Sequence, residues 1–600
     1  MQLNPNFPPE TLGNIAQAYF GGRCECRVRS EHRKVTVLDF TSMYPSMFII
    51  LGLYDYLIAE KIDVIDDTDN IKKLVDNINT IEDLKDPVIW KQFNVIVEIQ
   101  PDDDLLPVRA SYNDNSFTVG VNYLTSNETL YYGLPSVISS KLMTGKAPKI
   151  NKALRFIPIG KQKTLKKSRI SGVEIDPTKD NLFQILVEQK QHSKAVGDGR
   201  DKQIKILVNA TSYGIYIELN RQDGESDVVV HSGNEVFTDH KRFEEKGNYF
   251  NPLISTIITD CAKLLLSVCE KILQEYNEEI AYCDTDSVYV PVHRADEVAS
   301  FFDKLNPYKN VEHLLKIEEK DIWFYGISAK RYVIYDLSRN GDFVIKNDEK
   351  EENYSLHGLG HLANPFGEQE KHWQIQIWDD ILNLQYNKIT TNEFLEKYRT
   401  YFAISKFTVS TKSLMNRFAA LNKGKAYKEF IKPFNFFLTG FGNTLDVKPI
   451  SPFSKNSQSV VYDKFINYRD GKVMQGIEYF KTLEDELWGY VTHPESKLDG
   501  DKGLLQKRHF AADRVIYIGK EADKIDEKRG LERIDYNIYT SPKDIERVIS
   551  KVLSLKWEDA KRIGMPRSQY YKIISMAKNG KLPNFRGKTM RKLEFLHLDD

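Results

Sequence analysis

The sequence predicts an α+β chain with several compact regions, and three stretches carry that expectation. "RKVTVLDFTSMYPSMFIILGL" reads as a strand over "VTVLDF", a turn holding Pro45, and an apolar helix. From Asn181 to Ala195, and again from Asp201 to Glu218, apolar residues recur at helical spacing, with "VGDGR" joining the two as an antiparallel hairpin. Residues 252–275 read as one long helix, and "YCDTDSVYV" beyond it reads as strand, turn and strand.

The remaining elements follow in chain order. Residues 60–135 mix a polar helix with short strands such as "NVIVEIQ". "ISAKRYVIYDL" reads as another strand, and beyond about residue 355 the pattern is mostly helical, with aromatic-rich loops such as "IKPFNFFLTGFG". "WEDAKRIGMPRSQYYKIISMAKNGK" reads as helix, turn and helix, with Ala560, Gly564 and Ile573 at helix-turn-helix spacing; a packing-only helical cap is the alternative.

A chain of 600 residues is too long for a single core. A hydrophobic share of 41% with 12% aromatics is that of a globular chain and excludes a disordered one. No signal peptide is evident. "MFIILGLYDYLIA" falls short of the roughly 20 residues of a membrane span and carries Asp55, so no membrane partner is expected. The five cysteines fit no zinc spacing, and "CEC" reads as a reduced pair on a strand, which points to an intracellular, cytoplasmic chain. Lys and Arg total 84 against 85 acids, so net charge excludes nothing. Its distribution is more informative, because residues 141–169 contain no acid at all. That run is either a solvated face or a footprint for backbone phosphates.

Two carboxylates inside "YCDTDSVYV" demand a reason. Asp284 and Asp286 suit a tight hairpin turn, or they are half of a metal site. Asp39 supplies the other half: it closes the strand "VTVLD" where the backbone turns into "FTSMYPS". Oxygens from a strand end and a neighbouring hairpin tip can surround two hard cations, the arrangement that in-line phosphoryl transfer uses. Oxygen ligands with room for water and phosphate favour Mg²⁺ over zinc.

At this point the chain resembles the family B DNA polymerases. "DFTSMYPS" resembles their first signature, "KILVNATSYG" their second and "YCDTDS" their third. "YFGG" at 19–22 resembles their Tyr–x–Gly–Gly element, and "KRY" at 330–332 their Lys–x–Tyr element. The five elements stand in the family's order over roughly residues 19–335.

The resemblance implies a right-hand polymerase with an antiparallel-sheet palm, helical-hairpin fingers and a mainly helical thumb. Its expected divisions are a connector at 1–34, palm at 35–180 with an insertion, fingers at 181–220, palm at 221–350, thumb at 351–544 and the helix-turn-helix-like segment at 545–600. It implies template-directed addition of dNTPs to a primer on DNA. Asp39, Asp284 and Asp286 would be the catalytic carboxylates, and Asp39, Phe40 and Asp286 would hold two Mg²⁺ or, in their place, Mn²⁺ ions.

Ser42 and Met43 would present backbone N–H groups to the triphosphate, and Lys190, Lys194 and Lys205 would meet it from the fingers; a solvated face is the alternative for the lysines. Tyr44 would lie under the sugar and exclude a 2′-hydroxyl, with a core tyrosine as the alternative, while Asn209 and Tyr213 would flank the nucleotide. Tyr19, Gly21, Gly22, Lys330, Arg331 and Tyr332 would meet primer-template DNA.

Two features depart from the pattern. Asn209 and Tyr213 are one residue further apart than the family spacing, and Lys190 stands where relatives often have arginine. The interval from Asp39 to Lys190 is also long, and its extra segment either grips DNA or is structural. Only eighteen residues precede Tyr19, so a chain without proofreading is expected, with a separate exonuclease or accessory replication subunit as a partner or with no editing. The rival readings are a reverse transcriptase-like polymerase, against which Thr285 between the aspartates argues, and an inactive DNA-binding scaffold.

Overall fold

The computed structural model of the chain describes residues 7–112, 116–232, 235–345, 372–401 and 483–498, with residue 5 and short stretches within 359–366, 403–475, 504–521 and 553–578. Two compact units emerge. The first comprises Met1–Asn364, Gln369–Tyr401 and Thr482–Ile534; the second comprises Pro365–Glu368, Phe402–Lys481 and Asp535–Asp600.

The first unit is mixed helix and antiparallel sheet. Its central sheet has seven strands in the spatial order Cys24–Cys26, Tyr282–Asp284, Ser287–Pro291, His32–Phe40, Leu315–Ser328, Arg331–Leu337 and Phe343–Ile345. His32–Phe40 runs through the middle because Val35, Thr36, Val37 and Leu38 are all buried, so both faces of the strand are covered. "ISAKRYVIYDL", read as one strand, is the end of one and the start of the next. The chain turns at Ala329 and Lys330, and Lys330 takes a positive φ of 65° that ends the first strand.

A long helix, Pro252–Gln274, packs among other helices of the first unit. Its 23 residues are long and apolar enough to cross a membrane, yet the apolar window is wholly buried inside the protein, as befits a core helix. It packs on Leu134–Thr144, where Ser139 donates to Ser267 at 2.8 Å.

The expected helical hairpin consists of Leu182–Val196 and Asp201–Ser212. Asn181 caps the first helix by accepting from the Phe183 and Gln184 amides, and Gly197 ends it at φ 70°. The second helix stops at Ser212 rather than running on to Glu218, because Tyr213 turns to an extended conformation and Gly214 follows at φ 80°. Phe48, on the helix Met43–Ile50, stacks on Phe183 at 4.2 Å and ties the hairpin to the turn after Asp39.

The long interval before the hairpin folds into structure of its own. Lys61–Asp66, Lys149–Ile159, Val95–Gln100 and Leu130–Gly133 form a four-stranded sheet, so the acid-free run is in part a strand. Asp104–Tyr112 pairs with Ser116–Leu124 and, on its other side, with Leu504–Ala511, which also pairs with Leu219–Ser232. Among the described residues beyond 355 the elements are mixed rather than mostly helical. Helices Trp373–Gln385, Thr391–Tyr398 and Leu483–Val491 share that region with strands, and Leu504–Ala511 belongs to a sheet whose other strands lie far earlier in the chain. "LLQKRHFA" has no alternation to announce it. In the second unit the described strands form two short hairpins, Phe436–Thr439 with Asp446–Pro449 and Lys464–Ile466 with Val473–Gln475. The helix-turn-helix-like segment at 545–600 lies largely outside the described residues.

One buried ionic network braces the edge of the central sheet. Arg23 reaches Glu25 at 2.8 Å and Glu270 at 2.7 Å, and Arg27 reaches Glu25 at 2.9 Å. Burial alone would raise the Glu25 carboxyl, but Arg23, Arg27 and the Val121 amide outweigh it and hold it at about 2. Removing one partner from such a network leaves charge buried without compensation. Arg23→Met is expected to cost about 3–5 kcal/mol, read as a lower midpoint in denaturant; a midpoint equal to wild type would show that the network is solvated.

Candidate active site

Three strands of the central sheet bring the carboxylates together. Asp39 pairs across the sheet with Ser287 on one side and Lys316 on the other. The Phe40 amide donates to the Asp286 carbonyl at 2.8 Å, and the Thr285 amide donates to the Arg23 carbonyl at 2.7 Å, which fixes the turn between Asp284 and Ser287. Thr285 holds a positive φ of 61° at the tip of that turn.

A cleft of about 560 Å³ opens above this point. Asp39, Phe40, Ser42, Met43, Tyr44, Lys190, Lys194, Lys205, Asn209, Tyr213 and Asp286, all singled out from the sequence, line it together. The Phe40 side chain is itself buried, 5.0 Å from the Phe302 ring, so its backbone is the part that faces the cleft. Ser42 sits at φ 47° before the helix Met43–Ile50, and the Lys190 ammonium donates to its hydroxyl at 2.6 Å. The Tyr44 and Tyr213 rings lie 4.7 Å apart. The extra residue between Asn209 and Tyr213 is accommodated by the end of the helix: Asn209 is still helical, Tyr213 lies just beyond, and both reach the cleft.

Other sequence-chosen residues lie beside the cleft rather than in it. Asp284 pairs with Lys330. The Tyr19 and Tyr213 hydroxyls are hydrogen-bonded, and Gly21, at φ 93°, precedes Gly22, where an added Cβ would lie 2.7 Å from Thr285 Oγ1 and 3.2 Å from the Tyr44 hydroxyl. Tyr332 packs inward against Tyr282 at 4.4 Å and accepts from the Tyr289 hydroxyl at 3.1 Å, and Arg331 lies over the Tyr490 ring. Sequence reasoning missed Lys316 and Glu318. Both line the cleft from the strand Leu315–Ser328, and only the register with Asp39 could have marked them.

The electrostatics are those of opposed charges held close. Burial, and then the Asp39 and Asp284 carboxylates, push Asp286 up to about 6. Burial, and then Lys316 and Lys205, bring Lys190 down to about 8. Lys316 stands 3.4 Å from Asp39. Among the described residues no three His, Cys, Asp or Glu side chains are gathered closely enough to hold a metal ion, and Asp39 and Asp284 each face a lysine. The donor set nevertheless fits a hard divalent cation: the Asp39 carboxylate raises the cost of ionising the neighbouring Asp286, and a cation between them would remove that cost.

No protein-family model matches the chain, and no curated protein does. Among solved structures, the orthorhombic crystal form of Phi29 DNA polymerase is similar with a TM-score of 0.32 and 16% identity, over 57% of this chain and 53% of that one. Phi29 DNA polymerase complexed with primer-template DNA and incoming nucleotide substrates gives 0.30 and 15% over the same shares. The family B DNA polymerase from the hyperthermophilic archaeon Pyrobaculum calidifontis gives 0.28 and 14%, over 74% of this chain and 45% of that one. The chain thus spans about half the length of these polymerases.

The raised Asp286 group has a consequence for stability. Its folded-state value of about 6 exceeds the ordinary 3.8, so its ionised form penalises the fold above pH 6 and the penalty vanishes as pH falls towards 4. In metal-free buffer at pH 7–8, Asp286→Asn is therefore expected to raise stability by about 1–2 kcal/mol after allowance for partial exposure, with the gain shrinking to nothing near pH 4. Thermal denaturation across pH checks this. A variant no more stable than wild type at pH 8 would show that Asp286 is not electrostatically crowded.

Proposed function

We propose that this chain is a template-directed DNA polymerase. The observation that carries the reading is the convergence, in one cleft, of residues from three separate signatures: Asp39 to Tyr44, Lys205 with Asn209 and Tyr213, and Asp286. On this reading the seven-stranded sheet is the palm and the helices Leu182–Val196 and Asp201–Ser212 are the fingers.

The residues have distinct tasks. Asp39 and Asp286, with Phe40 between sheet and turn, would hold two Mg²⁺ ions, whose chemistry would be to lower the pKa of an attacking hydroxyl and to neutralise charge on departing pyrophosphate. Lys190, Lys194 and Lys205 bind the triphosphate from the hairpin side, and the Ser42 and Met43 amides meet it from the turn. Held in line, the primer 3′-oxygen forms its bond to the α-phosphorus as the bond to the β-phosphate oxygen breaks, and the hydroxyl proton passes to solvent. Tyr44 closes the space a 2′-hydroxyl would need, and Tyr213 stacks beside it against the new base pair. Lys330 neutralises Asp284 and, with Arg331 and Tyr332, steadies the primer end.

Primer extension on DNA and RNA templates with Mg²⁺ tests the reading. Asp39→Ala and Asp286→Ala are each expected to lose about 3–4 kcal/mol or more of transition-state stabilisation with DNA binding nearly intact. Extension at a near wild-type rate by either variant would refute the metal assignment, and preference for an RNA template would favour the reverse transcriptase reading. Tyr44→Val is expected to admit ribonucleotides, lowering sugar discrimination by about tenfold or more; unchanged discrimination would make Tyr44 a packing residue.

A further inference from the structure

The loop Tyr19–Gly22 is held from behind by two buried cations from distant parts of the chain. Arg109, on the strand Asp104–Tyr112, donates through Nη2 to the Tyr19 carbonyl at 3.1 Å and the Phe20 carbonyl at 2.5 Å. Its guanidinium also lies over the Phe20 ring, which stacks on Tyr132. Lys263, on the helix Pro252–Gln274, donates to the next carbonyl, Gly21, at 3.1 Å while paired with Asp260 at 2.9 Å. Both cations are buried, with 3% and 2% exposure. Burying a charge costs several kcal/mol, and a neutral backbone donor would satisfy a loop carbonyl without that cost. Charge-assisted bonds to three consecutive carbonyls fix a loop far more tightly than solvation would.

The front of the same loop touches both sides of the cleft. Tyr19 bonds to Tyr213, Gly22 packs against Thr285 and the Tyr44 hydroxyl, and the Arg23 carbonyl takes the Thr285 amide. We propose that Arg109 and Lys263 are positioning residues that clamp the loop 19–22, so that it sets the spacing between Tyr44, Tyr213 and the aspartate-bearing turn and thereby the sugar selectivity of the pocket. The sugar-selectivity clause rests on the polymerase reading; the clamp does not. It also gives the segment between Asp39 and Lys190 a task, because Arg109 comes from it.

Three variants of the full chain test this: Arg109→Met, Arg109→Lys, and Lys263→Met combined with Asp260→Asn so that no carboxylate is left unpaired. Hydrogen exchange is followed at residues 19–24, 284–287 and 252–274. Arg109→Met and the double variant are expected to exchange about tenfold or more faster in the loop and at the Thr285 amide, with the helix 252–274 unchanged. Arg109→Lys, which keeps the charge and loses the planar fork, is expected to lie between them and wild type. In primer extension the first two are expected to lose about fivefold or more in dNTP over rNTP preference, chiefly through a higher KM for dNTP. Unchanged exchange in the loop and turn, or equal acceleration in the helix, would overturn the clamp. A wild-type chain that extends no primer would overturn the polymerase reading, and the exchange pattern would still decide the clamp.

Discussion

The pairing register of His32–Phe40 is the constraint on which the site depends. Side chains alternate along a strand, so a slip of one residue would carry Asp39 to the opposite face and bring Leu38 or Phe40 into its place. The register is fixed on both edges, by Val288 opposite Leu38 and Tyr289 opposite Val37 on one side and by Ile317 opposite Leu38 on the other. Apolar residues occupy these positions, so the same burial that builds the core also sets where the carboxylate emerges. Irregularities in the neighbouring strand fall between Ile317 and Glu319 and between Glu319 and Ile322, just beyond Lys316. They leave the pairing of Lys316 with Asp39 in place while the strand bends away.

Charge in the cleft is balanced before any ligand arrives. Four carboxylates, Asp39, Asp201, Asp286 and Glu318, share its lining with four lysines, 190, 194, 205 and 316. Such a site does not attract a bare anion or a bare cation by net charge; it favours a ligand that brings both and lets them separate, negative charge to the lysines and positive charge to the carboxylates. A triphosphate accompanied by divalent cations has that character. Lys316 would then be a displaced counter-ion, released from Asp39.

Local signals were legible in the sequence, and long-range ones were not. The strand-turn-helix after Val35, the turn at Thr285 and the two-helix hairpin each depend on residues near one another, and the structure has all three. The end of the second helix was misread because apolar spacing runs on past Ser212, while the backbone is turned by Tyr213 and Gly214. Lys316, Arg109 and Lys263 carried no motif. The significance of each lies in what faces it: a carboxylate one strand away for Lys316, loop carbonyls far up the chain for the other two. Leu504–Ala511 was missed for the same reason, since its partners begin at Asp104 and Leu219.

A second long-range contact shows how the edge of the central sheet is kept closed. Cys24–Cys26 is an edge strand, and an unpaired edge invites pairing with another chain. Here the segment around Glu495 covers it. The Glu495 carboxylate accepts from the Cys26 amide at 3.1 Å and from the Ala329 amide at 2.7 Å, so one side chain joins the edge strand to the turn that carries Lys330. Lys497, fully buried, pairs with Glu495, and its carbonyl accepts from Asn122 at 2.8 Å. A buried pair of this kind is a poor source of net stability, because desolvation offsets most of the attraction. Its effect is instead to fix geometry: the Glu495 carboxylate can bridge the two amides only if strand and turn keep their present spacing. The turn bearing Lys330, and with it the Asp284 partner, is thus located by a residue from the far end of the first unit, just as the loop 19–22 is located by Arg109 and Lys263. Buried charges from outside the cleft hold the backbone on two of its sides.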